Sequence, residues 1–276
     1  MSLTTHITQK LAALGTMVDR MQSVLVAFSG GIDSTLVLHV AHDRLGPDAV
    51  AVTSVSATLP ERERLDCERL ARRIGARHLW QTTDQLALPA FALNDATRCY
   101  HCKTDLYSAL NRIRLELGLC QIVNGVQQDD FDDDRPGLLA AREWSVRSPL
   151  VEAGFKKADV RTAARHLGLP NWDKPAAACL SSRIPRGLPI TYESLARVEA
   201  AESLLLEEGF RQVRVRDFGG VARLEVGAEE VRELLTILPS RDIERRICAL
   251  GFESVEVDRE GYRPGKANER SLISLR

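Results

Sequence analysis

The sequence predicts an α/β protein with a doubly wound parallel sheet, followed by a smaller C-terminal α+β domain. Short apolar runs alternate with longer helical patterns through the first two thirds of the chain, as in β-α-β units. The first buried run, which begins at Val24, ends in Ser29-Gly30-Gly31 directly before a helical pattern. Near Ile190 the order of predicted elements becomes α-β-β-α-β. We therefore divide the chain into domains 1–188 and 189–276.

The elements of the first domain follow from hydrophobic periodicity. An amphipathic helix over 1–20 precedes the strand at Val24 and the helix that follows the glycines. The remaining predicted strands cover 49–55, 77–81 and 121–125, and the remaining helices cover 60–74, 97–117 and 156–167. Ligands of such sheets bind at the carboxyl ends of the strands, so Ser29, Ser54 and Gly125 should border one crevice.

The second domain is predicted in the same way. Helices are expected over 191–209 and 231–250, and strands over 211–217, 221–226 and 254–257. This order suits a small ferredoxin-like domain, which we expect to contribute to substrate binding and assembly.

Composition limits the class of partner. The 276 residues carry 37 basic and 38 acidic side chains, so net charge gives no general attraction to nucleic acid or anionic membranes. No apolar run approaches the ~20 residues of a membrane span, and residues 1–20 lack the apolar core of a signal peptide. We expect a cytoplasmic protein, whose six cysteines are thiols or ligands rather than disulfides.

The segment Ser29-Gly30-Gly31-Ile32-Asp33-Ser34 predicts a phosphate site. The first N–H groups of a helix lack partners in the chain, and glycines let the backbone approach an anion closely. Asp33 could orient a metal ion or cap the helix. The hexapeptide resembles the PP-loop of ATP pyrophosphatases, which implies ATP and Mg²⁺. The implied ATP-binding residues are Ala27, Phe28, Ser29, Gly30, Gly31, Asp33, Ser34, Ser54 and Gly125.

Two further segments carry cysteines. Cys99-Tyr100-His101-Cys102 begins a predicted helix, which places both sulfurs on one helical face near an N-terminus that favours thiolates. A redox pair and half of a zinc site both fit this motif. Cys179 lies in a proline-stiffened loop together with Ser181, Ser182 and Arg183. Three other cysteines sit in helix or strand patterns and are interpreted as core residues: Cys67, Cys120 and Cys248.

Four motifs together resemble the LarE family over nearly the whole chain: the loop at Ser29, Arg135-Pro136-Gly137, Ser181-Ser182-Arg183-Ile184-Pro185 and Val213-Arg214-Val215-Arg216. That family consists of ATP-dependent sulfur transferases for the nickel-pincer cofactor of lactate racemase. The resemblance implies adenylation of pyridinium-3,5-biscarboxylic acid mononucleotide and conversion of its carboxylates to thiocarboxylates. It also implies a symmetric homo-oligomer.

The family has two sources of sulfur. In one form, a loop cysteine gives up its own sulfur, but that position aligns with Ala178 here. The other form resembles this chain, because its C-x-x-C motif and one loop cysteine hold a [4Fe-4S] cluster with an open iron for an extra sulfide. The resemblance therefore implies that Cys99, Cys102 and Cys179 ligate a cluster, and that Cys179 also takes part in sulfur transfer.

The resemblance also assigns roles to charged residues. Ser182, Arg183 and the N–H groups of the Ser29 loop would stabilise negative charge during adenylation, and Asp33 is also assigned to catalysis. Arg214 and Arg216 would clamp a substrate anion, although composition alone favours a solvated strand face. Glu202 aligns with a substrate-pocket acid, and Lys103 beside the C-x-x-C motif could contact an anion or be an exposed helix lysine.

Other functions use the same loop. A tRNA thiolase shares it and sometimes the three cysteines, but no basic run indicates an RNA surface here. An ammonia-using amide synthetase would not need the cysteines, and a non-catalytic ATP-binding regulator would not need Asp33 or Ser34. We therefore expect a small nucleotide substrate, with neither nucleic acid nor a membrane as partner.

Overall fold

A computed structural model describes residues 5–131, 136–175 and 178–263. The chain forms two compact units. The first unit contains residues 1–85 and 99–177, and the second contains residues 86–98 and 178–276. Residues 86–98 and 178–188, which our predicted division assigns to the first domain, thus belong to the second unit.

The first unit is built on a four-stranded, all-parallel sheet with the strand order β3-β2-β1-β4. Its strands are β1 (Val24–Ala27), β2 (Ala49–Val55), β3 (Arg77–Thr82) and β4 (Gln121–Val123). Its helices are α1 (Thr5–Met21), α2 (Ile32–Leu45), α3 (Glu61–Ile74), α5 (Arg98–Glu116), α6 (Gly137–Glu143), α7 (Pro149–Glu152) and α8 (Lys157–His166). The predicted doubly wound fold is confirmed, although α6 and α7 were not predicted.

Strand β1 shows why the sheet is covered on both faces. Successive side chains of a strand point to opposite faces, so Val24 and Val26 enter one apolar cluster while Leu25 enters another. The first cluster contains residues of α1, α2, α3 and α8, and the second contains residues of α5 and α6. Because both faces are buried, β1 is continuously apolar.

The second unit has a three-stranded sheet with the order β5-β6-β7, in which β5 and β6 are antiparallel and β6 and β7 are parallel. Its strands are β5 (Val213–Asp217), β6 (Val221–Val226) and β7 (Ser254–Val257). Its helices are α4 (Pro89–Ala92), α9 (Tyr192–Glu207), α10 (Val231–Ser240) and α11 (Ile243–Cys248).

The predicted helix over 231–250 is wrong, because the structure has two helices there. Pro239 lies in the last turn of α10, where its ring removes a backbone N–H, and Asp242 has φ of +56°. Aspartate tolerates this left-handed conformation better than most residues do. The chain therefore turns at Asp242 and starts α11 with Ile243.

None of the helices in the described ranges is long and apolar enough to cross a membrane.

Candidate active site

The loop after β1 takes the form that the sequence predicts. Gly30 has φ of +67°, a conformation that side chains other than glycine rarely adopt. Ser29 donates its N–H to Ser34 Oγ over 3.3 Å, and Ser34 Oγ donates to the Gly31 carbonyl over 3.1 Å. The loop thus closes on the first turn of α2 and turns that helix N-terminus toward the carboxyl edge of the sheet. This arrangement fits the phosphates of ATP.

Strand β2 holds the start of the loop through hydrogen bonds to Phe28. Phe28 donates its N–H to the Val52 carbonyl over 2.9 Å, and its own carbonyl accepts the Thr53 hydroxyl over 2.8 Å. His78 Nε2 lies 2.8 Å from the same hydroxyl. Burial lowers the pKa of His78, so this imidazole is neutral at pH 7 and serves as a hydrogen-bond partner rather than as a charge.

Cys67 closes the underside of the loop. A Cβ added to Gly30 would lie 2.8 Å from Cys67 Sγ, so only glycine fits there without displacing the thiol. Burial raises the pKa of Cys67 to about 11, which keeps it a protonated packing residue. The core interpretation is therefore confirmed for Cys67. It is wrong for Cys120, which is exposed because it precedes β4 at the sheet edge, whereas Cys248 is half-buried.

Asp33 faces a partner that sequence reasoning missed. Lys157 Nζ, at the start of α8, lies 2.5 Å from Asp33 Oδ2. Burial raises the pKa of Asp33 against the attraction of Lys157. The other oxygen, Oδ1, is buried and has no hydrogen-bond partner among the described residues. An ionisable oxygen of this kind beside a phosphate site fits a Mg²⁺ ion that takes its other ligands from phosphate and water.

Two predicted nucleotide contacts border the loop. Gly125 follows β4 and packs so closely on α2 that an added Cβ would lie 2.6 Å from Ser34 N. Ser54, near the end of β2, lies with its Oγ 2.6 Å from Thr83 Oγ1. Both residues are therefore at the carboxyl edge of the sheet, as expected.

The acidic loop after Gly125 is described only in part. Residues 132–135 of this loop, which include Arg135 of the family motif, lie outside the described residues. Within the described part, Asp129 accepts the N–H of Lys157 over 2.8 Å and Asp130 accepts the N–H of Gln127 over 3.0 Å. These carboxylates hold the chain between Gly125 and α8.

Cys99 and Cys102 lie in the first turns of α5, where Cys99 is exposed and Cys102 is half-buried. Helix α6 packs against this end of α5, since a Cβ on Gly137 would lie 3.0 Å from Lys103 Cγ and 3.6 Å from the Cys99 carbonyl oxygen. Lys103 Nζ lies 6.0 Å from the centre of the Tyr107 ring. The first unit thus presents two thiols one helical turn apart.

Arg183 organises the loop that carries the third cysteine. Its guanidinium binds Glu202 through two parallel contacts, Nε to Oε1 at 2.8 Å and Nη2 to Oε2 at 3.0 Å. Its Nη1 donates to the carbonyls of Ala178 and Cys179 over 2.6 and 3.0 Å. Ser182 Oγ also donates to the Cys179 carbonyl, over 2.8 Å. Arg183 therefore shapes the Cys179 loop, while Cys179 itself is exposed.

Glu202 and the two strand arginines extend this network. Glu202 Oε1 also accepts the N–H of Val215, so the carboxylate joins α9, β5 and Arg183. Arg216 is 8% exposed and donates from Nε to Glu225 Oε1 over 2.6 Å and from Nη1 to the Ser182 carbonyl over 3.1 Å. The solvated strand face that composition favours is therefore wrong for Arg216.

Arg214 lies close to the charged groups of this network, Arg183, Glu202 and Arg216. Burial and the charge of Arg183 lower the pKa of Arg214, whose guanidinium lies 5.3 Å from the centre of the Tyr262 ring. Glu225 Oε2 is buried and has no hydrogen-bond partner within the described part of the chain. The guanidinium groups of Arg214 and Arg216 are of a kind that binds carboxylates and phosphates in forked geometry.

The described residues contain no group of three or more His, Cys, Asp or Glu side chains that could hold a metal ion. Cys99 and Cys102 belong to the first unit and Cys179 belongs to the second. The three-cysteine site therefore stays a prediction.

A parallel doubly wound sheet with a Ser-Gly-Gly loop before its second helix defines a PP-loop protein. No protein-family model matches the chain. Pyridinium-3,5-bisthiocarboxylic acid mononucleotide synthase of Lactiplantibacillus plantarum is 39% identical over 261 residues, which cover 94% of this chain and 94% of that protein. The chain belongs to the LarE family of that synthase.

Two further relatives are also similar to this chain over most of its length. An uncharacterised protein of Synechocystis sp. is 42% identical over 259 residues, covering 94% of this chain and 97% of that protein. An uncharacterised protein of Methanocaldococcus jannaschii is 24% identical over 248 residues, covering 88% of this chain and 91% of that protein. The similarity therefore spans both compact units.

Proposed function

We propose that this chain is an ATP-dependent sulfurtransferase that makes pyridinium-3,5-bisthiocarboxylic acid mononucleotide from the corresponding biscarboxylic acid. The observation that carries the proposal is the family membership, because the Lactiplantibacillus plantarum relative is named as the synthase of this product. The loop at the end of β1 supports an ATP-dependent reaction, since its helix N-terminus and glycines suit a polyphosphate.

The first step is adenylation of a substrate carboxylate. A carboxylate oxygen attacks the α-phosphorus of ATP, the bond to the β-phosphate oxygen breaks, and pyrophosphate leaves. The α2 N-terminus and Ser34 hold the leaving phosphates. Asp33 would hold Mg²⁺, which would neutralise phosphate charge when bound; the lack of a partner for Asp33 Oδ1 among the described residues supports this role.

The second step replaces AMP by sulfur. A sulfur nucleophile attacks the acyl carbon, the carbon–oxygen bond to AMP breaks, and AMP leaves with the electron pair. A [4Fe-4S] cluster held by Cys99, Cys102 and Cys179 would supply sulfide when bound. The arginines at 214 and 216 hold the substrate's phosphate and carboxylate groups, which is supported by the fit of guanidinium groups to these anions and by the position of both arginines on β5. We propose a cytoplasmic homo-oligomer as the working form.

The decisive assay uses protein purified without air. Pyrophosphate release is measured with ATP, Mg²⁺ and the biscarboxylic mononucleotide, with bulk tRNA and ammonia in parallel, and products are identified by mass spectrometry. We expect release only with the mononucleotide, together with a mass gain for each oxygen replaced by sulfur. Release that depends on tRNA, or an amide product, contradicts the proposal.

The sulfur source is tested separately. The cluster predicts about four iron atoms per chain with matching sulfide. Cys179→Ala should abolish sulfur transfer and retain pyrophosphate release, whereas Cys120→Ala, an exposed cysteine outside the trio, should retain both. Colourless protein with stoichiometric zinc, or full transfer by the Cys179 variant, excludes the three-cysteine cluster without affecting the adenylation step.

A further inference from the structure

Asn171 contacts the phosphate loop from a distant part of the chain. Its Nδ2 donates to the Gly30 carbonyl over 3.1 Å and to Thr35 Oγ1 over 3.0 Å. Asn171 is 7% exposed, and Thr35 is fully buried. The side chain therefore lies beneath the loop rather than on its ligand side, and nothing in the local sequence around Asn171 indicates this contact.

The Thr35 hydroxyl connects Asn171 to the Gly31 carbonyl. Thr35 Oγ1 donates to the Gly31 carbonyl over 2.8 Å, in addition to the helical bond from its own N–H over 3.0 Å. Asn171 thus holds the Gly30 carbonyl directly and the Gly31 carbonyl through Thr35. Both carbonyls of the diglycine are fixed from the same side.

Fixing the carbonyls orients the amides. In a planar trans peptide the C=O and the following N–H point in opposite directions. Holding the Gly30 carbonyl therefore aims the Gly31 N–H away from Asn171, and holding the Gly31 carbonyl does the same for the Ile32 N–H. These are the first amides of α2, which have no intrahelical partners and are suited to bind an anion.

Asn171 is itself held in place by the segment that contains it. Arg161 of α8 donates to the carbonyls of Trp172 and Lys174, both over 3.1 Å. Lys174 Nζ lies 2.7 Å from both Glu63 Oε2 and Asp66 Oδ2 of α3. The Lys174 N–H donates a hydrogen bond to the Asn171 carbonyl and closes a turn. The backbone of Asn171 is therefore held in place.

We infer that Asn171 is a positioning residue for the polyphosphate of ATP, acting through the Gly31 and Ile32 amides. This inference rests on the proposed use of ATP. It implies that Asn171 affects ligands with β- and γ-phosphates and leaves AMP binding unaffected, because the α2 N-terminus is proposed to hold the leaving pyrophosphate.

The test compares ATP and AMP binding by calorimetry for the full-length wild type, Asn171→Ala, Thr35→Val and the matched control Asn111→Ala. Asn111 lies on α5, where it accepts a bond from Arg114. Loss of two hydrogen bonds should weaken ATP binding about tenfold in Asn171→Ala and leave AMP binding within about twofold. Thr35→Val, which keeps the side-chain shape, should show the same selective loss, and the double variant should lose less than the sum.

The outcomes separate this inference from the proposed function. Equal weakening of ATP and AMP binding by Asn171→Ala, or unchanged ATP binding in that variant, overturns the positioning role. As long as the wild-type protein binds ATP, either result leaves the adenylation proposal unaffected. Absence of ATP binding by the wild type overturns the proposed function itself. Urea unfolding of each variant checks that a selective loss comes from folded protein.

Discussion

Lys157 Nζ lies 2.5 Å from Asp33 Oδ2 and thereby joins the first turns of α8 and α2 beside the phosphate loop. The two side chains differ in exposure, because Asp33 is mostly buried while a third of the Lys157 side chain is exposed. Burial raises the pKa of Asp33 more than Lys157 lowers it. Ionisation of this carboxylate therefore has a cost to the stability of the empty protein.

Replacing Asp33 with asparagine should therefore stabilise the protein as it abolishes pyrophosphate release. An acid with a raised folded-state pKa contributes stability below its unfolded pKa of about 4 and loses that contribution as pH rises through the folded value. The free energy of unfolding of Asp33→Asn relative to wild type should grow as pH increases from about 4 and then level off.

Urea titrations at several pH values measure this difference. Asp43→Asn is the matched control, because Asp43 is an exposed carboxylate on the same helix. A variant that is less stable than wild type at pH 7, or one that releases pyrophosphate normally, would contradict this interpretation of Asp33.

The buried pair Arg183–Glu202 predicts strong coupling in the second unit. Arg183→Met leaves Glu202 buried with the Val215 N–H as its remaining partner among the contacts described above, which should lower the free energy of unfolding by about 3–5 kcal/mol. Arg183→Met combined with Glu202→Gln should recover part of this loss, because the buried carboxylate charge is then removed as well. Chemical denaturation of the single and double variants measures the coupling.

The exposed pair Arg72–Glu68 provides the control, since Arg72→Met should change stability by no more than about 0.5 kcal/mol. Equal effects of the buried and exposed substitutions would contradict the strong coupling expected for the Arg183–Glu202 pair.

Thiol reactivity should separate the cysteines that look alike in sequence. With burial raising its pKa to about 11, Cys67 should resist iodoacetamide at pH 8 in the native protein and react only after unfolding. Exposed Cys120 should react in the native state. Mass spectrometry of digested, alkylated protein reads both sites, and rapid native labelling of Cys67 would show that the loop opens more readily than its packing implies.

The parts of the fold that were predictable are those set by local pattern. The short apolar run of β1 and the glycine break after it indicate the parallel sheet and the phosphate loop, and the structure has both. Long-range contacts leave no such signal. Asn171 reaches Gly30 across 141 residues, and Lys157 reaches Asp33 across 124, so neither could be read from neighbouring residues. The break at Asp242 was missed because apolar residues continue the helical pattern beyond Pro239.

Gly125→Ala should disable the site by moving α2. The added Cβ would meet Ser34 N at 2.6 Å, Ser34 Cα at 2.9 Å and the Asp33 carbonyl carbon at 3.0 Å, and these backbone atoms cannot rotate away. The N-terminus of α2 must shift, which changes the direction of its first N–H groups, so ATP binding and pyrophosphate release should fall together.

Gly15→Ala is the control. The nearest neighbour of the added Cβ in the described structure would be the flexible Arg44 side chain at 3.6 Å, and the change should stabilise α1 by about 0.5–1 kcal/mol. Calorimetry with ATP measures the first effect and thermal unfolding the second. Wild-type ATP affinity in Gly125→Ala would show that the contact between Gly125 and α2 does not set the geometry of the phosphate loop.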